Sequence, residues 1–209
     1  MHSKYADLKF GINIIVLCLL TMAISSCHKQ KYEYGALTDT RDGKTYKTVE
    51  FANHEWMAEN LRYEGNIEMG TEYDSIAPRR YCPNGSQSAV EERGYLYNWK
   101  AAMNGAEASD EKPSGVQGVC PDGWHLPSMS EWKSLKDELG DDSEYMKEFT
   151  LPTAGAYNGT FINYGNRLYF WSSTEDDSGN AYFCTMYDLY GTTNIADKGI
   201  GLSVRCVKN

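Results

Sequence analysis

Apolar and polar positions change rhythm several times along the 209 residues. A nearly unbroken apolar run extends from Ile12 to Ile24, interrupted by Asn13 and Thr21 and preceded by Lys4 and Lys9. It is shorter than the roughly 20 residues a spanning helix needs. Residues 28–38 are polar and show no period. From Thr45 to Phe51 the chain is β-rich, with Val49 and Phe51 on one face. Ala52-Asn53-His54 turns it and Glu55-Trp56-Met57-Ala58 returns, which predicts a hairpin. Residues 62–93, with Pro78, Pro83 and Asn84-Gly85, read as a long irregular region.

Helical spacing appears twice. Leu96, Trp99, Ala102 and Met103 predict a helix over 94–103, closed by Asn104-Gly105, and a polar loop follows over 105–118. Ser128-Met129-Ser130-Glu131 has the form of a capping box, in which the serine accepts from the third amide and the glutamate reaches back. Trp132, Leu135 and Leu139 then form an apolar stripe, and Gly140 stands where a helix stop wants a residue without Cβ. The remainder reads as strand and turn: Arg167–Trp171, then Asn180–Tyr187 with Tyr182, Cys184 and Met186 on one face. A last strand sets Leu202, Val204 and Cys206 inward and Ser203 and Arg205 outward. Helices in the first half and strands in the second predict an α+β domain.

The N-terminal run acquires meaning from what ends it. Basic residues, an apolar core and Ser25-Ser26 before Cys27 make a bacterial lipoprotein signal: residues 1–26 are removed and Cys27 carries the lipid. Several acyl chains on one cysteine anchor stably, where one gives marginal binding. Residues 27–38 are then a tether and 39–209 the domain. His28 after Cys27 is not an inner-membrane-retaining aspartate, so the expected address is the outer membrane, with the lipid as the membrane partner.

Charge narrows the partners. The chain carries −9, and losing Lys4, Asp7 and Lys9 leaves the mature chain near −10. Such acidity disfavours nucleic acid and anionic lipid surfaces. Of six cysteines, Cys18 leaves with the signal and Cys27 is lipidated. Cys82, Cys120, Cys184 and Cys206 remain, an even number that reads as two disulfides in an exported protein. No Cys-x-x-Cys pair suggests zinc, and spacing alone leaves all three pairings open.

Six blocks in order carry a family resemblance. They are Asp42-Gly43-Lys44-Thr45-Tyr46-Lys47-Thr48-Val49; Trp56-Met57-Ala58-Glu59-Asn60-Leu61; Gly94-Tyr95-Leu96-Tyr97-Asn98-Trp99 with Ala101-Ala102-Met103; Val119 to Ser128 with Glu131-Trp132; Tyr169-Phe170-Trp171-Ser172-Ser173-Thr174; and Leu202 to Lys208. Together they resemble the Fibrobacter succinogenes major paralogous domain, whose members are exported and often lipid-anchored. His125-Leu126-Pro127 before Glu131-Trp132 is also similar to the formylglycine-generating-enzyme group. That second resemblance implies a C-type-lectin-like fold, with two short helices on a small twisted antiparallel sheet and long loops. It also implies a Cys120–Cys206 disulfide, leaving Cys82 with Cys184; a Cys184–Cys206 cross-strand bond is the rival.

Candidate chemistry is sparse. His125 reads as a packing or capping histidine, His54 has no evident partner, and Ser172-Ser173 lack a nucleophile-elbow context. Glu175, Asp176, Asp177 and Asn180 make an oxygen-rich turn that calcium would accept, though a solvated acidic turn is the simpler reading. The sugar-binding motifs of calcium-dependent lectins are absent. Tyr157, Tyr164, Tyr169, Tyr187 and Tyr190 are candidates for a ligand-facing aromatic surface. Asn84-Gly85-Ser86 and Asn158-Gly159-Thr160 read as turns. The expectation is a non-catalytic envelope module that binds polysaccharide or an envelope protein, without a cofactor. The alternatives are an enzyme with a loop-built active site and a structural envelope protein.

Overall fold

The first strand begins before the expected domain boundary. The computed structural model describes residues 33–51, 53–140, 149, 152–185 and 194–209. Strand β1 (Tyr34–Thr38) pairs antiparallel with β2 (Thr45–Phe51), Tyr34 opposite Val49 and Thr38 opposite Thr45. Residues 34–38 are therefore sheet rather than tether, a correction to the 27–38 boundary. Their side chains are largely exposed at the sheet edge, so pairing comes from the backbone and leaves no apolar period to read. The turn between β1 and β2 closes with Asp39 N–H on the Lys44 carbonyl at 2.8 Å and Gly43 N–H on the Asp39 carbonyl at 2.8 Å. Gly43 adopts φ +74° there.

The predicted hairpin forms between β2 and β3 (His54–Met57). The irregular region contains short pieces: β4 (Glu68–Met69), β5 (Arg79–Tyr81), two 3₁₀ turns at Pro83–Gly85 and Gln87–Ala89, and α1 (Val90–Arg93). The helix expected over 94–103 starts only at Trp99. Gly94 lies at φ +72° and Leu96–Tyr97 is strand β6, paired with β5. Tyr95, Leu96 and Tyr97 are all buried, and that continuous burial imitates a helical stripe. Helix α2 (Trp99–Met103) is capped by Asn98, whose side chain accepts the Ala101 amide at 3.0 Å. After β7 (Trp124–His125), α3 (Met129–Leu139) carries the capping box: Glu131 N–H to Ser128 Oγ at 3.1 Å and Ser128 N–H to Glu131 Oε2 at 2.9 Å. The later strands are β8 (Ala156–Tyr157), β9 (Phe161–Ile162), β10 (Tyr169–Glu175), β11 (Asn180–Thr185), β12 (Asn194–Asp197) and β13 (Val207–Lys208). Small, mostly antiparallel sheets with short helices make the domain α+β. The largest sheet runs β1-β2-β3-β13-β7, and β10-β11-β12 forms another.

The C-terminal segment departs most from its expected form. Residues 201–207 are buried on every side, Ser203 and Arg205 included, instead of forming a half-exposed strand. Leu202 exchanges main-chain hydrogen bonds with Tyr97 (2.8 and 2.9 Å). Ser203 bonds Tyr169 and Trp171, Val204 accepts Leu61 N–H, and Cys206 accepts Met57 N–H. Tryptophan indoles satisfy neighbouring carbonyls: Trp171 Nε1 donates to Tyr97 at 2.7 Å, Trp99 Nε1 to Ser172 at 2.9 Å and Trp132 Nε1 to Trp171 at 3.3 Å. Trp132 stacks on Phe170 at 5.3 Å.

Cys120 and Cys206 form a disulfide across 86 residues. The companion pairing is corrected: Cys82 and Cys184 are not bonded to each other, and Cys206 is already taken, which removes the Cys184–Cys206 rival. Cys184 is sealed on β11 opposite Phe170, whereas Cys82 sits at the mouth of a 3₁₀ turn beside Met69 and Gln87. Burial raises both thiols, Cys184 to about 12, so neither is a ready thiolate. In a chain beginning after Cys27, a chromogenic disulfide reagent is expected to react slowly with one thiol, Cys82, in the native protein. In denaturant without reductant it should find two. No reactive thiol after denaturation would contradict this arrangement.

Candidate functional site

His125 and Glu131 meet behind the capping box. His125 is buried; its Nε2 faces Glu131 Oε1 at 2.9 Å and its Nδ1 faces Asn209 Oδ1 at 2.7 Å. The other Glu131 oxygen accepts the amides of Ser128 and Ser114, the latter at 3.1 Å. Burial opposes ionisation of Glu131, but His125 and these amides overcome it and hold the carboxyl below its usual range. The histidine is thus a clamp between a helix start, a loop and the last residue, matching its packing-and-capping reading. Ser172 and Ser173 are buried, and their hydroxyls donate to the Tyr182 and Ser109 carbonyls at 2.7 and 2.9 Å.

The acidic turn is occupied by the protein's own donors. Asp177 Oδ1 accepts the Gly179 and Asn180 amides, and Asp176 Oδ1 accepts the Tyr182 hydroxyl at 2.7 Å. Lys198 Nζ pairs with Glu175 and donates to the Asp177 and Ser178 carbonyls at 2.7 and 3.1 Å, over the Trp99 ring. An ammonium stands where the sequence offered ligands for calcium.

The described members of the tyrosine set differ in burial: Tyr157 is buried, and Tyr164 and Tyr169 are half-buried. Tyr157 is a correction: it is buried in a small core between Tyr81 (4.3 Å) and Phe161 (4.8 Å). Tyr164 lies under Arg93, and the Tyr169 hydroxyl accepts from Asn163 while its ring meets Phe183 edge-on. Tyr187, Tyr190 and Cys27 lie outside the described residues.

A groove of about 930 Å³ opens elsewhere. One wall is built from Arg41, Tyr63, Asn66, Ile67 and Pro78, and the other from the loop following Asn104, through Glu107 and Ser109 to Gln117. Each wall is irregular chain held from behind. Arg41 engages Asp39 side-on (Nε to Oδ1 2.9 Å, Nη2 to Oδ2 2.7 Å), donates to the Val119 carbonyl and stacks 3.7 Å above the Tyr63 ring. Asp39 is fully buried. Burial opposes its charge, yet Arg41's hydrogen bonds and charge keep its carboxyl low. Pro78 is set by Asn98, whose Nδ2 donates to the Asp74 and Ala77 carbonyls at 2.8 and 2.7 Å. The opposite loop is fixed at Ser109, which exchanges bonds with Ser173, and at Asp110, which accepts from Ser130 and Thr174. Its far end is fixed at Ser114 by Glu131.

None of the groove residues was a sequence candidate. Asp39 and Arg41 are two apart in a turn, and nothing in that spacing announces that Tyr63 and Val119 close over them.

Glu131→Gln keeps the shape but removes the charge and one of the two acceptor oxygens, so His125 and the two amides no longer share a carboxylate. It is expected to lower stability by about 1–3 kcal/mol at neutral pH, measured by urea unfolding. Because the folded value lies below the ordinary glutamate value of 4.5, Glu131 contributes its full stabilisation above that value. The contribution is lost as pH falls through the lower folded value. The variant should therefore show a flatter stability profile below about pH 5; an unchanged acid slope would refute the clamp.

A family model for the Fibrobacter succinogenes major domain matches residues 49–157. No curated protein and no solved structure matches the chain. The matched segment runs from β2 to β8 and contains both groove walls except Arg41. The chain belongs to the Fibrobacter succinogenes major domain family.

Proposed function

We propose that this protein is a non-catalytic polysaccharide-binding module, held in the bacterial cell envelope by lipid on Cys27, on a scaffold of C-type-lectin-like kind. The groove between Tyr63 and Gln117 carries the reading. It is at the large end of the roughly 300–1,000 Å³ range of ligand sites, and long loops fixed by buried polar contacts frame it. What it offers is hydrogen bonding and a tyrosine ring, with Glu107 as its one carboxylate. The histidine and serines that could serve catalysis are committed to structural bonds elsewhere. Partly buried Tyr63 and Ile67 with Pro78 give the apolar strip against which sugar rings pack. The Cys27 signal and the acidic mature chain support an envelope address reached through lipid rather than surface charge.

Two measurements test the reading. A labelled fatty acid fed to the producing bacterium should be incorporated into the chain and not into Cys27→Ser; an unlabelled wild-type chain would refute the anchor. Tyr63→Ala should weaken binding to an immobilised polysaccharide panel at least tenfold. Turnover of a substrate abolished by Glu107→Gln would instead establish an enzyme.

A further inference from the structure

The hydrogen-bonding inventory of the groove discriminates between kinds of polysaccharide. Only Arg41 and Glu107 among its lining residues are charged. The Arg41 charge is matched by Asp39, buried directly behind it, so the groove presents no net positive charge. The chain as a whole is at −9. A uronate or phosphate polymer would meet a neutralised guanidinium, an exposed carboxylate and an acidic protein.

The lining holds both donors and acceptors instead. The Nε and Nη2 atoms of Arg41 are used by Asp39 and Val119, which leaves Nη1, the nitrogen on the side away from Asp39, with no bond to the protein among the described residues. The main-chain amides of Glu107, Ala108, Gly115, Gln117 and Gly118 also donate to no protein acceptor among those residues. The same lining also holds acceptors. Asn104 and Gln117 spend their nitrogens on Gly118, Cys120 and Asp122 and keep Oδ1 and Oε1 available, and Asn66 is exposed with both functions open. A carboxylate or phosphate group only accepts, so wherever one replaces a hydroxyl it cannot donate to these oxygens. A sugar hydroxyl donates and accepts at once.

We infer that the groove takes an uncharged, hydroxyl-rich glycan, with its hydroxyls shared between Arg41 Nη1, the free amides and the side-chain oxygens of Asn66, Asn104 and Gln117. This rests on the binding-module reading above and specifies its ligand class.

The test uses the full chain purified in detergent, titrated calorimetrically with hexasaccharides of uncharged glucan, mannan, xylan and galactan and with uronate hexasaccharides. At least one uncharged glycan should bind, with affinity changing less than about twofold when monovalent salt rises from low to physiological levels, since screening acts only on charge. Asn66→Ala should weaken that binding about tenfold. Glu107→Gln, which retains a side-chain oxygen acceptor, should change it less than about threefold. Both residues are exposed and bonded to nothing else in the described structure, so these variants leave the fold intact. Preferential uronate binding that weakens with salt and strengthens in Glu107→Gln would overturn the uncharged assignment while leaving the polysaccharide reading in place. Binding of an uncharged glycan that Asn66→Ala leaves unchanged would overturn the site. Binding of no glycan at all would overturn the polysaccharide reading itself.

Discussion

Everything in this domain is assembled around the buried C-terminal segment and the arginine within it. Between Gly201 and Lys208 the main chain hydrogen-bonds successively to β8, β6, β10, β3 and β7, so sheets that never pair with one another share one strip of backbone. A backbone buried on every side needs all its polar groups matched. Arg205 has no contact with water. Its Nε donates to Asn60, its Nη1 to the Phe149 carbonyl, and its guanidinium lies between the Phe149 and Phe170 rings. Burial pushes its pKa down to about 9, which still leaves it charged at neutral pH. A buried cation tolerates few alternative geometries, so Arg205 fixes where Asn60 and the two rings must stand.

That constraint reaches the groove through two links. The disulfide joins Cys206 to Cys120, next to Val119, whose carbonyl receives Arg41. Asn209 faces His125, which faces Glu131, which holds Ser114 in the opposite wall. The chain end thus determines the placement of loops about a hundred residues earlier.

What the sequence reveals follows from which interactions are local. The Ser128–Glu131 capping box is legible because both of its bonds lie within four residues. The β2–β3 hairpin is legible from alternation and a short turn. β1 is not, because its side chains are exposed and its partner is chosen by the Asp39–Lys44 turn. The start of α2 is misread because three consecutive buried residues satisfy a helical count as well as a short strand. Ser203 and Arg205 look outward by alternation, since polarity is the usual mark of solvent. Here each is satisfied by residues far away in sequence. Arg41, Tyr63 and Val119 meet only after folding, so the groove has no linear signature.

The irregularity of the walls is itself informative. A loop that must be ordered when its ligand arrives loses affinity to the entropy of that ordering. Here side chains of the domain itself already bond both loops. Asp110, Glu131 and Ser173 hold one wall, and Asp39 and Asn98 hold the other. Buried and half-buried polar contacts therefore hold irregular backbone in place, while several lining groups, Asn66 and the amides of Glu107, Ala108 and Gly115 among them, make no bond to the protein among the described residues. Under the binding role proposed above, such a division would spare a ligand the cost of ordering the loops.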